Sequence, residues 1–183
     1  MPRDGIMDGN QGVEADGLVF RKPTMDDGSD VWNLIQDINK LDDNSMYCNL
    51  LQCSHFADTC ALAQDGDRIV GWMSGYRPPS ATDTLFVWQV AVHPDMRGRG
   101  VAKRLIRWSL ERPWNRDIRH VNSTITSDND ASWALFGSIA KEYEAPLERD
   151  PHFEEERHFD GEAATEHLVQ IGPLTRKVVR IAA

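Results

Sequence analysis

The sequence predicts an α+β fold: a central mixed, mostly antiparallel sheet flanked by helices. Three observations carry this expectation. Segments with the two-residue period of strands alternate with segments of helical period, in the order β-α-α-β-β-β-α-β-α-β. A long apolar, β-branched stretch over residues 84–93 runs straight into a glycine-rich basic turn and then an amphipathic helix. No repeat or linker interrupts residues 18–173, so the 183 residues make one domain, over residues 17–173, with a sizeable core.

The elements follow in order. Residues 1–16 are rich in Gly, Asp and Asn, a composition expected to be disordered. Residues 18–21 read as a short strand. A helix opens near Asp27 or Ser29, because Val31, Leu34, Ile35, Ile38 and Leu41 share one helical face. Asn44 or Ser45 is the N-cap of a second helix carrying Leu50 and Leu51. Residues 60–64 and 68–76 form a hairpin through Asp65-Gly66, and Pro78-Pro79 closes the unit. After the 84–93 strand, a helix runs from Gly98 to Arg112 and stops at Pro113, with Val101, Leu105, Ile106 and Trp108 inward. Residues 120–126 are another strand. Asp128 or Asn129 caps a third long helix with Leu135, Phe136 and Ile139 on its face. Residues 144–165 read as polar and irregular, 166–171 as a last strand, and 174–183 as a short basic tail.

Composition narrows the function. A formal charge of −9 opposes a nucleic-acid or anionic-membrane partner and suits a cationic substrate. Cys48, Cys53 and Cys60 are odd in number and lack CxxC spacing, which argues against a zinc site or a disulfide framework. No apolar run is long enough to cross a bilayer, and the first residues lack a signal-peptide core. The expected compartment is therefore the cytoplasm.

The turn after the long strand carries the chemistry. Gly98 and Gly100 allow close backbone approach, the helix start offers unpaired N–H groups, and Arg97, Arg99 and Lys103 add full charge. Together these make a cradle for a phosphorylated cofactor.

The stretch Gln89-Val90-Ala91-Val92-His93-Pro94, followed by Arg97-Gly98-Arg99-Gly100-Val101-Ala102, resembles the acetyl-CoA signature of the GNAT acetyltransferases. Asn129-x-x-Ser132-x-x-Leu135-Phe136 resembles that family's second CoA motif. Four further segments, at 41–47, 55–59, 75–79 and 83–89, resemble the branch that acetylates the γ-amine of L-2,4-diaminobutyrate on the route to ectoine. The resemblance implies the GNAT acyl-CoA N-acyltransferase fold, acetyl-CoA as co-substrate, no metal, and a small diamino acid as partner. It implies a homodimer, an expectation to which tryptophans expected on the surface, Trp114 and Trp133, contribute.

By the same resemblance, the cofactor is held by Val90, Ala91 and Val92 on the strand, by residues Arg97, Gly98, Arg99, Gly100, Val101, Ala102 and Lys103 of the turn, and by Asn129, Ser132 and Phe136. The Val90 N–H polarises the thioester oxygen. Asp42, Tyr47, Trp88, Arg77 and Glu166 are the substrate candidates. Asp42 meets an ammonium, though an Asp at a helix end also serves as a terminator. Tyr47 orients the amine or protonates the leaving thiolate, and Trp88 offers a cation–π face. Arg77 pairs with the carboxylate, and Glu166 takes the proton directly or through water. Core or surface roles remain open for each. His55 and Asp58 stay outside the catalytic set. Phe136 stands where many GNAT enzymes carry a tyrosine acid, so the thiolate must be protonated by Tyr47 or by solvent. The alternatives to diaminobutyrate acetylation are action on another small diamine or polyamine, and a non-catalytic acyl-CoA module.

Overall fold

The computed structural model describes residues 13–38 and 44–175. They fall into two compact units: the described residues up to 74 with 90–109, and residues 75–89 with the described residues from 110 on.

The first unit carries an antiparallel meander, β1 (Val13–Ala15), β2 (Leu18–Arg21), β3 (Ala61–Asp65) and the first part of β4 (Arg68–Tyr76). β1 lies inside the stretch expected to be disordered. Its signal was Asp16-Gly17, whose positive φ values of 54° and 76° make the tight turn that returns the chain onto β2. α1 (Gly28–Gln36) follows a single 3-10 turn, and α2 (Met46–Ser54) is capped by Ser45, whose side chain accepts from the Cys48 N–H. Val31, Leu34, Ile35 and Ile38 of the predicted helical face are all buried, in one cluster with Cys53, Leu62, Trp72 and Ala91. Leu41, expected on the same face, lies outside the described residues. α2 instead buries Asn49 and Gln52 and leaves Leu50 exposed. α3 (Val101–Glu111) packs Val101 and Leu105 onto Gly71 of β4. It starts three residues later than the sequence suggested, because Gly98 and Gly100 adopt left-handed φ values of 73° and 72° that no helix accepts.

The second unit holds the start of β5 (Thr84–Val92), β6 (His120–Thr126), β8 (Glu166–Ile171) and β7 (Leu147–Phe153), hydrogen-bonded in that order. β5 and β6 are parallel and the other pairs antiparallel, so the sheet is mixed. α4 (Asp130–Glu142) begins at Asn129, whose side chain accepts from the Ser132 N–H. β7 and the short α5 (Glu155–His158) occupy the region expected to be irregular. β7 is an edge strand, mostly exposed, with Pro151 at a register irregularity, so pairing with β8 holds it rather than any alternation of burial. The tail is tied down further than expected. Leu174 is buried and donates to the Arg119 carbonyl, and Thr175 donates to Tyr143.

Candidate active site

The turn between β5 and α3 has the geometry of an anion cradle. Its two glycines sit at φ +73° and +72°, and a Cβ at either would meet nothing within 4 Å. Glycine is therefore required there by the backbone conformation, not by crowding within the protein. Among the described residues, the N–H groups of Gly98, Arg99, Gly100, Val101 and Ala102 make no backbone hydrogen bond outside a helix. Successive N–H groups at a helix start, with Arg97 and Arg99 exposed beside them, form an anion nest. Val101 is buried, so it offers its backbone only. The same holds for Ala91, whose side chain belongs to the core cluster, while Val90 and Val92 are half-buried.

Tyr47 is the second residue of α2 and 69% exposed, an aromatic phenol open to solvent. Asp42 lies outside the described residues.

The second unit gathers another set. β5 and β6 pair from Thr84↔His120 to Phe86↔Asn122. One residue further, the Val87 carbonyl accepts from the Ser123 hydroxyl at 2.9 Å, a side chain standing in for the backbone ladder. In β6 and β8, Asn122, Thr124 and Thr126 pair with Gln170, Leu168 and Glu166. Register partners point to the same face. Phe86, Trp88, Asn122, Thr124, Thr126 and Glu166 therefore line one face of this sheet. Trp88 is 48% exposed and meets Tyr76 edge-on, with centroids 6.2 Å apart, and Tyr76 in turn lies against Phe86 at 5.1 Å. By register Glu148 and Asp150 of β7 share this face through Gln170 and Leu168, so it combines an accessible indole, hydroxyls and carboxylates, a surface suited to an ammonium compound.

The profile of the acetyltransferase (GNAT) family matches residues 29–139. The chain belongs to the GNAT acetyltransferase family. Within it, the L-2,4-diaminobutyric acid acetyltransferase of Methylotuvimicrobium alcaliphilum is 47% identical over 156 residues, 85% of this chain and 91% of that one. The enzyme of the same name from Chromohalobacter salexigens is 44% identical over 174 residues, 94% and 90% of the two chains. A solved diaminobutyrate acetyltransferase from Paenibacillus lautus, in complex with its substrate L-2,4-diaminobutyric acid and coenzyme A, is 36% identical with a TM-score of 0.82, over 88% of this chain and 98% of that one. The ribosomal-protein-S18-alanine N-acetyltransferase of Escherichia coli shares the fold alone, at 11% identity and a TM-score of 0.60, over 91% and 99%.

Three expectations for this GNAT chain need revision. Arg77 does not present a free guanidinium to a substrate carboxylate. Its Nη1 and Nη2 donate to the two Asp117 oxygens at 2.7 Å each, and also to the Thr82 carbonyl, the Trp114 carbonyl and Asn115 Oδ1. The Asp117 hydrogen bond raises its pKa further. Arg77 is a clamp for the 113–117 segment, whose Asn115 is fully buried. Trp114 and Trp133 are half-buried, not surface residues: Arg112 stacks over the first, while the second lies under Arg149 and donates to the Thr126 carbonyl. Phe136 is 2% exposed and is a core side chain of α4, with little surface for a ligand. Asn129 and Ser132 form the cap of that helix, which leaves the Asn129 amide N–H groups as its remaining donors. Tyr76 falls in the 75–79 segment that carried part of the resemblance, whereas nothing in the sequence points to Asn122, which becomes visible only through its register with Phe86.

Proposed function

We propose that this chain transfers the acetyl group of acetyl-CoA to the γ-amine of L-2,4-diaminobutyrate, giving N4-acetyl-L-2,4-diaminobutyrate, by direct attack of the amine in a ternary complex. One observation carries the reading. Likeness to enzymes named for this substrate reaches 36–47% identity, with a TM-score of 0.82 to a substrate complex, whereas other acetyltransferases match the fold at 11–17%. Residues 17–173 are taken as the acetyltransferase domain.

The chain's residues fit the task. The nest at 98–102, with Arg97, Arg99 and Lys103, holds the pyrophosphate, and the β5 backbone at Val90 to Val92 pairs with the pantetheine amides as an added strand would. The thioester supplies an activated acetyl group. The Val90 N–H polarises its oxygen, a kind of contact whose loss elsewhere costs about a hundred-fold or more in rate. An ammonium has no lone pair, so the γ-amine must lose a proton before it attacks. Glu166, a carboxylate on the Trp88 face, receives that proton directly or through water. Trp88 stabilises the approaching cation, Asp42 adds negative charge, and Tyr47 protonates the departing thiolate. The enzyme is assigned to the cytoplasm and to a homodimer. The resemblance supports the latter, and sedimentation velocity tests it.

Mass spectrometry of the product from acetyl-CoA and diaminobutyrate, with fragmentation to locate the acetyl group, tests the activity. Acetylation at the γ nitrogen is expected. Little turnover of diaminobutyrate alongside brisk turnover of peptide N-termini or aminoglycosides would sink it.

A further inference from the structure

The β6 strand holds a polar side chain with no assigned purpose. Asn122 Oδ1 is enclosed and, among the described residues, meets no hydrogen-bond donor. Buried side-chain acceptors in native proteins find a partner in the protein, in water or in a ligand. Turning the amide over does not help, since it would enclose an NH2 group in the same place. Asn122 also stands at a special position. It is the last register partner of β5, level with Phe86, just before the Ser123 hydroxyl replaces the ladder at Val87. By register it shares its face with Trp88 and Glu166.

We infer that Asn122 is a specificity residue that reads the amino-acid head group of the acyl acceptor, Oδ1 accepting from the α-ammonium and Nδ2 donating to the α-carboxylate. The inference rests on the proposed diaminobutyrate activity. An amide places one acceptor and one donor side by side, which matches the adjacent ammonium and carboxylate of an α-amino acid. It is also uncharged, so it holds both groups without repelling either. The face needs such a group. Arg77 is committed to Asp117 and the 113–117 segment, His120 at the start of the same face stands beside Asp83, and none of Phe86, Trp88, Asn122, Thr124, Thr126, Leu168, Gln170 and Glu166 is a cation. A carboxylate bound beside Asn122 therefore draws on the neutral donors there. Spacing agrees as well. Asn122 lies level with a residue two positions before Trp88, about 7 Å along the strand at the usual rise, comparable with the span of a four-carbon diamino acid. The reacting γ-amine then lies toward Trp88 and the head group toward Asn122.

The test is steady-state kinetics of Asn122→Ala and Asn122→Asp, with thermal melting of each and with 1,3-diaminopropane as the acceptor lacking a carboxylate, scored as substrate or as competitive inhibitor. Asn122→Ala should raise the KM for diaminobutyrate about ten-fold or more, with the KM for acetyl-CoA and the melting temperature near wild type. The preference for diaminobutyrate over 1,3-diaminopropane should fall too, by the share of that factor that the carboxylate contact contributes, because the diamine keeps the ammonium contact. Asn122→Asp keeps the acceptor but opposes the carboxylate, so it should lose more toward diaminobutyrate than Asn122→Ala while retaining the diamine. An unchanged KM for diaminobutyrate in Asn122→Ala overturns the inference. So does a parallel loss toward both acceptors and acetyl-CoA together with a fall in melting temperature, which would mark Asn122 as structural. A wild-type enzyme that does not turn over diaminobutyrate at all refutes the proposed function itself. Normal wild-type turnover with an unaffected variant refutes only the role of Asn122.

Discussion

Replacing Gly100 with Glu separates what the turn does for the fold from what it does for the cofactor. Gly100 sits at φ +72°, and a Cβ there meets nothing within 4 Å. The cost to the fold is therefore conformational strain alone, about 1–2 kcal/mol for an L-residue held in the left-handed region. For a chain of this size that lowers the melting temperature by about 2–8 °C. The cost to binding is electrostatic. A carboxylate about 5 Å from a phosphate is opposed by about 3 kcal/mol at an effective dielectric of ~20, and by about 1 kcal/mol where water screens the pair fully. Coenzyme A affinity should then fall by about five- to two-hundred-fold. Gly66→Glu is the matched control, since Gly66 also has a positive φ (57°) and open space but lies in the β3–β4 turn. Calorimetric titration with coenzyme A, alongside thermal melts of both variants, gives the answer. Equal melting losses with binding lost only in Gly100→Glu are expected. Wild-type affinity in Gly100→Glu, or equal loss in both variants, would refute the nest as the phosphate site.

Three other outcomes are expected. Arg77→Ala removes hydrogen bonds to Asp117, to the Trp114 and Thr82 carbonyls and to buried Asn115, so it should cost about 1–3 kcal/mol, read as a melting temperature several degrees lower. Its KM for diaminobutyrate should stay within two-fold of wild type, and a large rise in KM at unchanged stability would restore the substrate role. Burial pushes the Asp27 carboxyl upward, but hydrogen bonds from Arg21 and Thr24 outweigh it and hold the group below its ordinary value. Its folded pKa is thus lower than its unfolded one, so its stabilisation is complete above about pH 4 and fades as the pH falls further. Asp27→Asn should therefore be less stable at pH 7, with a gap from wild type that narrows in acid melts, and a pH-independent gap would contradict this. Tyr47→Phe should lower kcat by about a hundred-fold or more if the phenol is the acid, and a change of only a few-fold would leave the thiolate to solvent.

The fold was legible wherever burial imposed a period. α1 could be read from Val31, Leu34, Ile35 and Ile38 because those four must be buried together. β6 could be read because Val121, Ser123 and Ile125 are buried while Asn122, Thr124 and Thr126 are less so. β7 had no such imprint. An edge strand exposed along nearly its whole length, interrupted by Pro151, is held by backbone bonds to β8, and backbone bonds leave no trace in residue type. β1 was obscured in another way: the polar composition of its surroundings outweighed one Asp-Gly turn.

The site divides along the same line. The anion nest could be read locally, since glycines, arginines and a helix start within seven residues already define it. The substrate face could not, because its members come together through strand register across Phe86, Asn122, Thr126 and Glu166. A sequence shows residue types, and by type Arg77 was the natural partner for a carboxylate. What it lacks is the list of groups already satisfied. Arg77 meets five acceptors, Asn122 Oδ1 meets no donor, and the weaker-looking residue is the one left with unmet hydrogen-bonding capacity. Recognition of a small charged ligand depends on which polar groups the fold leaves unpaired, so an uncharged amide at the end of a strand pairing can do what a fully engaged guanidinium cannot.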